Sequence, residues 1–152
     1  LGNSLFFWVC GKGIEDSMGS ARFLVFYLIC GLIGAALHVA VNAASPVPTI
    51  GASGAISGIM GAFLVLYPRA RINMFFFFFV LPIRAWLVLL YWFGIQVVEG
   101  LPQLGQLNPS ISGGVAVWAH VGGFLSGVLL VRLFAVPRLV SGHRSRFEGY
   151  PG

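Results

Sequence analysis

The sequence predicts an all-α fold, a polytopic transmembrane helical bundle with four complete spans and part of another. Of the 152 residues, 58% are hydrophobic and only 9% are charged, whereas an ordinary soluble domain carries about 25% charged residues. The mean hydropathy is +0.92. Uncharged stretches run well beyond the roughly 20 residues that one span needs. The cations also share one end of the predicted hairpins, which is typical of a multi-pass membrane protein.

Two long apolar stretches each predict a helical hairpin. The first, from Phe23 to Pro68, contains no Asp, Glu, Lys or Arg, and the second, from Ala85 to Val131, contains Glu99 alone. Each stretch is long enough for two spans and an outer connector rich in Pro and Gly. The predicted helices are Phe23–Asn42, Ser53–Tyr67, Ala85–Val98 and Gly114–Phe134.

The cations orient these hairpins, because none of them lies in either outer connector. The nine are Lys12, Arg22, Arg69, Arg71, Arg84, Arg132, Arg138, Arg144 and Arg146. By the positive-inside rule, the ends that carry them face the cytosol. Leu1–Cys10 would be the end of a further helix, and the stretch NMFFFFFVLP could extend a helix or lie along the interface. Residues 1–135 therefore form a predicted membrane domain, and residues 136–152 a basic cytosolic tail.

Several classes of function find no support in the composition. The basic residues are too few and too scattered for a nucleic-acid-binding stripe, despite a pI near 9.9. Cys10 and Cys30 both fall in predicted membrane segments, and we interpret them as inert apolar side chains rather than a disulfide or metal pair. The sequence therefore predicts no cofactor, no metal and no nucleic-acid partner.

Four polar side chains lie at membrane depth, where burial is costly: Ser53, Ser57, His38 and His120. At 1.5 Å per residue, Ser53 lies about 24 Å from Arg69, and His120 about 18 Å from Arg132. Both are therefore expected in the outer half of a hydrocarbon layer about 30 Å thick. Ser53 follows a turn and would begin its helix.

Glycines predict that the serine and histidine helices approach closely. Gly54 and Gly58 form a small-residue face on one helix, and Gly123 and Gly127 form one on the other. A histidine within hydrogen-bond reach can activate a serine as a nucleophile, and first-turn N–H groups can stabilise an oxyanion. We expect a Ser-His dyad and prefer Ser53 to Ser57, whose hydroxyl can bond back to a carbonyl.

Other interpretations remain open on the residues alone. A small-residue helix that carries a serine is most often a packing face, and a membrane histidine can be a proton relay or an interhelical hydrogen bond. A small transporter that uses His38 and His120 as a proton path is one such alternative. It would function without Ser53.

The assembled motifs resemble the rhomboid family of intramembrane serine proteases. GASG at Gly51–Gly54 is similar to its GxSG nucleophile motif, and AHVGG at Ala119–Gly123 to its AHxxG motif. The resemblance implies that Ser53 is the nucleophile and His120 the general base. It implies that Asn3 stabilises the oxyanion together with the backbone at Gly51 and Ala52.

The implied function is an endopeptidase that cleaves transmembrane segments of membrane proteins, with single-pass or other transmembrane proteins and membrane lipid as partners. The expected location is a bacterial cytoplasmic membrane, with the active site open to the non-cytosolic side. A non-catalytic rhomboid-like protein that binds transmembrane clients is the alternative. The family pattern has a His four residues before Asn3, beyond the first residue here, and a further helix before it. We therefore do not expect activity from residues 1–152 alone.

Overall fold

The computed structural model describes residues 2–43, 51–76, 78–105 and 116–148. These ranges form a helical bundle with one β-hairpin attached to it. The elements, in chain order, are α1 Gly2–Phe6, a π-helical turn Phe7–Gly11, α2 Lys12–Met18, α3 Ser20–Val41, α4 Ser53–Leu66, β1 Arg71–Phe76, β2 Phe79–Arg84, α5 Ala85–Gly100, a 3-10 turn Leu101–Gly105, α6 Val117–Phe134 and α7 Pro137–Glu148.

The predicted polytopic helical bundle is confirmed. Within the described ranges, three segments are long and apolar enough to cross a membrane: Ser20–Val41, Ala85–Leu104 and Val117–Phe134. The fourth predicted span, α4, has 14 residues and is about 21 Å long. It is therefore shorter than the hydrocarbon layer of about 30 Å. This length agrees with the expected depth of Ser53, in the outer half of that layer.

Helix α4 lies at the centre of the bundle, and every residue from Gly54 to Phe63 is buried. A helix with apolar or small side chains on all sides is suited to such a position, because each face meets another helix. Helix α3 lies outside it and has a mixed surface. Its Leu24, Leu28 and Leu32 are exposed at four-residue spacing, so they form one stripe of the kind that lipid would cover.

The ambiguous NMFFFFFVLP stretch forms most of an antiparallel hairpin of β1 and β2. Its register pairs Arg71 with Arg84 and Phe76 with Phe79. Aromatic and β-branched residues favour strands, and Pro82 disfavours a helix through this stretch. Strand β2 ends where α5 begins, and the Ala85 N–H donates to a backbone carbonyl at 2.7 Å. This hairpin is a departure from the all-helical prediction.

A buried polar cluster joins the helices at the predicted cytosolic end. The Ser17 and Tyr67 hydroxyl oxygens are 2.6 Å apart, and Ser17 also donates to the Gly13 carbonyl. The Val136 N–H donates to the Ser17 carbonyl at 2.9 Å, which ties the junction of α6 and α7 to α2. The predicted cytosolic tail is helical from Pro137 to Glu148, and this helix packs against α2.

Removing the Tyr67 hydroxyl should weaken this end of the bundle modestly. In Tyr67→Phe the free energy of unfolding should fall by about 1 kcal/mol, because one buried hydrogen bond is lost while Ser17 keeps its carbonyl partner. Tyr91→Phe is the matched control, since Tyr91 is 73% exposed, and it should unfold like the wild type. Denaturant unfolding in detergent micelles measures both variants. Equal stability of all three proteins would contradict the role assigned to the Tyr67–Ser17 bond.

Candidate active site

Ser53 is the first residue of α4, as the sequence predicts. Gly51 precedes it with a φ of +151°, a conformation that glycine adopts far more readily than other residues. The first intrahelical bond here runs from the Ile56 N–H to the Ala52 carbonyl at 3.1 Å. The N–H groups of the first turn, including that of Ser53, therefore have no acceptor within the helix. They lie at the positive end of the helix dipole, which favours negative charge.

Ser57 lies one turn further along α4 in a different environment. Its side chain is 1% exposed, and its hydroxyl donates to the Ser53 carbonyl at 2.8 Å. The back-bonding expected from the sequence is therefore present. Ser53 is only half-buried, so its hydroxyl is the more accessible of the two.

Helices α4 and α6 are in backbone contact beside both predicted catalytic residues. A Cβ on Gly54 would lie 3.1 Å from the Ala119 carbonyl oxygen, and a Cβ on Gly123 would fall on the Gly54 carbonyl. The residue after Ser53 thus touches the residue before His120. The small-residue faces identified in the sequence form this contact.

His120 lies in the first turn of α6 and contacts α5 through two side chains. Its Nδ1 is 2.6 Å from the Gln96 Oε1, and its ring centroid is 5.7 Å from that of Trp92, with the planes tilted by 42°. Within the described part of the chain, no hydrogen bond joins the Ser53 hydroxyl to His120. Catalytic hydrogen bonds are often long in proteins without substrate.

Sequence reasoning missed Gln96 and Trp92. The available signal was an amide in an otherwise apolar stretch, but the sequence does not show which helix it faces. Glu99 was predicted in the outer connector, whereas it lies within the last turn of α5, which runs to Gly100. Its side chain is exposed.

The other predicted residues are placed as follows. Asn3 lies in α1, but its side chain is outside the described part of the structure. Gly51 and Ala52 form the exposed turn before Ser53. His38 lies in the last turn of α3, where the Asn42 side-chain amide is 3.5 Å from its Nδ1 and donates to its backbone carbonyl at 3.1 Å. Cys10 and Cys30 are free and buried.

The comparisons with known proteins agree on one family. Residues 1–136 match the Rhomboid domain. Rhomboid protease GluP of Bacillus subtilis (strain 168) is 34% identical to this chain over 139 residues, which cover 86% of this chain and 26% of that protein. Rhomboid protein 1, mitochondrial, of Saccharomyces cerevisiae (strain ATCC 204508 / S288c) is 28% identical over 131 residues, which cover 84% of this chain and 35% of that protein. The chain thus spans about a quarter to a third of the length of these relatives, and no solved structure matches it. The chain belongs to the rhomboid family and is an integral membrane protein.

Proposed function

We propose that the protein containing this chain is an intramembrane serine endopeptidase in which Ser53 is the nucleophile and His120 is the general base. One observation carries the proposal most directly. The backbone contact between Gly54 and Ala119 sets the N-terminus of α4 against the turn of α6 that bears the histidine. A serine, a histidine and free N–H donors are thereby carried by adjoining turns. This supports the proposal, because acyl transfer needs a nucleophile, a base and oxyanion donors close together.

The proposed reaction is the hydrolysis of a peptide bond in a transmembrane segment. The Ser53 Oγ bonds to the scissile carbonyl carbon as His120 accepts the hydroxyl proton. The C–N bond then breaks, and His120 gives that proton to the leaving amine. Water adds to the acyl-enzyme while His120 accepts one of its protons. The Ser53 ester bond then breaks as His120 returns that proton to the Ser53 oxygen, which releases the acid and restores the hydroxyl.

The first-turn N–H groups of α4 would stabilise the negative oxygen in both tetrahedral intermediates. The Asn3 side chain would supply a further donor. Substrates would be single-pass or other membrane proteins, and the site would open to the non-cytosolic side of a bacterial cytoplasmic membrane. The positive-inside assignment supports that orientation, because Ser53 and His120 lie far from the cationic ends of their helices.

Fluorophosphonate labelling of the intact natural protein in membranes tests this proposal. The Ser53 Oγ should bond to phosphorus as fluoride leaves, and mass spectrometry of the labelled peptide should place the adduct on Ser53. His120→Ala should abolish labelling, and Ser57→Ala should retain it. An adduct elsewhere would overturn the nucleophile assignment. A folded protein that neither reacts nor cleaves a membrane-anchored reporter would support a non-catalytic client-binding protein instead.

A further inference from the structure

Among the buried polar side chains in the described part of the chain, Gln96 alone is bonded only to a side chain on another helix. Ser17, Ser57 and Ser126 each donate to a carbonyl three or four residues earlier in their own helix. Gln96 is 7% exposed, and its Oε1 contacts the His120 side chain on another helix. An unpaired buried amide costs about 1–3 kcal/mol, so this partner accounts for a polar residue on an apolar helix.

The atoms in this contact favour one tautomer of His120. An amide oxygen only accepts hydrogen bonds, so the Nδ1 that faces the Gln96 Oε1 at 2.6 Å bonds to it when Nδ1 carries the hydrogen. A neutral imidazole carries hydrogen on one nitrogen, which leaves the lone pair on Nε2. A general base needs that lone pair, because the protonated nitrogen cannot accept the proton from a serine hydroxyl.

The ring of His120 is held on a second side by the same helix. Trp92 precedes Gln96 by one helical turn, so both side chains project from the same face of α5. The indole contacts the imidazole and also the Phe124 ring, whose centroid is 6.2 Å from that of Trp92. Rotation of the imidazole about its side-chain bonds would therefore break the hydrogen bond and disturb the aromatic contact.

We propose that Gln96 is a positioning residue that holds His120 in the Nδ1–H tautomer, with Nε2 available to take the proton of Ser53, while Trp92 restricts the plane of the ring. This inference deepens the proposed protease function and rests on it. A neutral amide would thus fill the orienting role that a carboxylate fills in a Ser-His-Asp triad. The helix that orients the base would be α5, which bears neither member of the dyad.

Kinetics of the intact protein with a membrane-anchored reporter test the positioning role. Gln96→Leu removes the acceptor at similar size, and kcat should fall by about 10- to 100-fold, because the base spends less time in the active tautomer, while KM changes little. Gln96→Glu retains an acceptor and should keep most of the activity. Ile95→Ala, the neighbour on α5, is the matched control and should behave like the wild type. Unchanged kcat in Gln96→Leu would overturn the proposal.

Nitrogen-15 NMR of labelled histidines gives a readout that does not depend on catalysis. In the wild type, at a pH where His120 is neutral, its Nδ1 should be protonated and its Nε2 should be unprotonated. Gln96→Leu should populate the Nε2–H tautomer, and Gln96→Glu should not. The His120 signals are assigned by their loss in His120→Asn. An Nε2–H tautomer in the wild type would overturn the inference. Failure of the proposed protease function would show separately, as reporter cleavage that survives Ser53→Ala.

Discussion

Replacing Ser53 with Ala is expected to abolish cleavage of a membrane-anchored reporter by the intact protein. Removing the nucleophile of a serine protease lowers kcat by up to about 10⁶-fold, so product should fall to the level of membranes without the enzyme. The substitution removes a half-buried hydroxyl at a helix start, and the fold should remain intact. The rate of reporter cleavage, normalised to the amount of folded protein, measures the effect.

Ser57→Ala is the matched control for this experiment, because the two serines lie one turn apart on α4. The Ser57 hydroxyl donates to the Ser53 carbonyl at 2.8 Å. Removing this hydroxyl therefore leaves no hydrogen-bond donor without a partner. We therefore expect cleavage within about threefold of the wild type, since loss of a net hydrogen bond of about 1 kcal/mol alters mainly stability. Abolished cleavage in Ser57→Ala with retained cleavage in Ser53→Ala would reverse the assignment.

The features that follow from local chemistry were predicted from the sequence. Charge-free stretches predict the helices, because no other element satisfies its own backbone in lipid. The start of α4 at Ser53 follows from the turn residues before it. The approach of α4 to α6 follows from the glycines, because a contact between backbones requires small residues on both helices.

The features that depend on long-range pairing were not predicted. The β-hairpin requires β1 to find β2 in one register, and a run of Phe residues suits a strand and a membrane helix equally well. The partner of Gln96 depends on the rotation of α5 about its axis. A helix that is apolar on nearly every side carries little periodic signal to set that rotation.

The second large effect that we expect is a loss of stability, because α4 and α6 are in tight backbone contact. In Gly127→Ala, the new Cβ would fall on the Gly58 carbonyl oxygen and lie 2.7 Å from its carbon and 2.8 Å from its Cα. These are backbone atoms of a buried helix, so they cannot rotate away as a side chain would. The helices must separate, and we expect the free energy of unfolding to fall by about 3 kcal/mol, at the upper end for overpacking. Denaturant unfolding in micelles measures this loss.

Gly94→Ala separates this steric effect from any general effect of adding a methyl group to a helical glycine. A Cβ at Gly94 on α5 would meet no atom within 4 Å, so this variant should be as stable as the wild type or gain up to about 1 kcal/mol from helix propensity. If Gly127→Ala were as stable as Gly94→Ala, the close contact of α4 with α6 would be wrong.

Reporter cleavage should fall in Gly127→Ala even where the protein stays folded, since any separation of these helices moves His120 away from Ser53. The two glycines therefore test whether the packing that folds the bundle is also the packing that assembles its site.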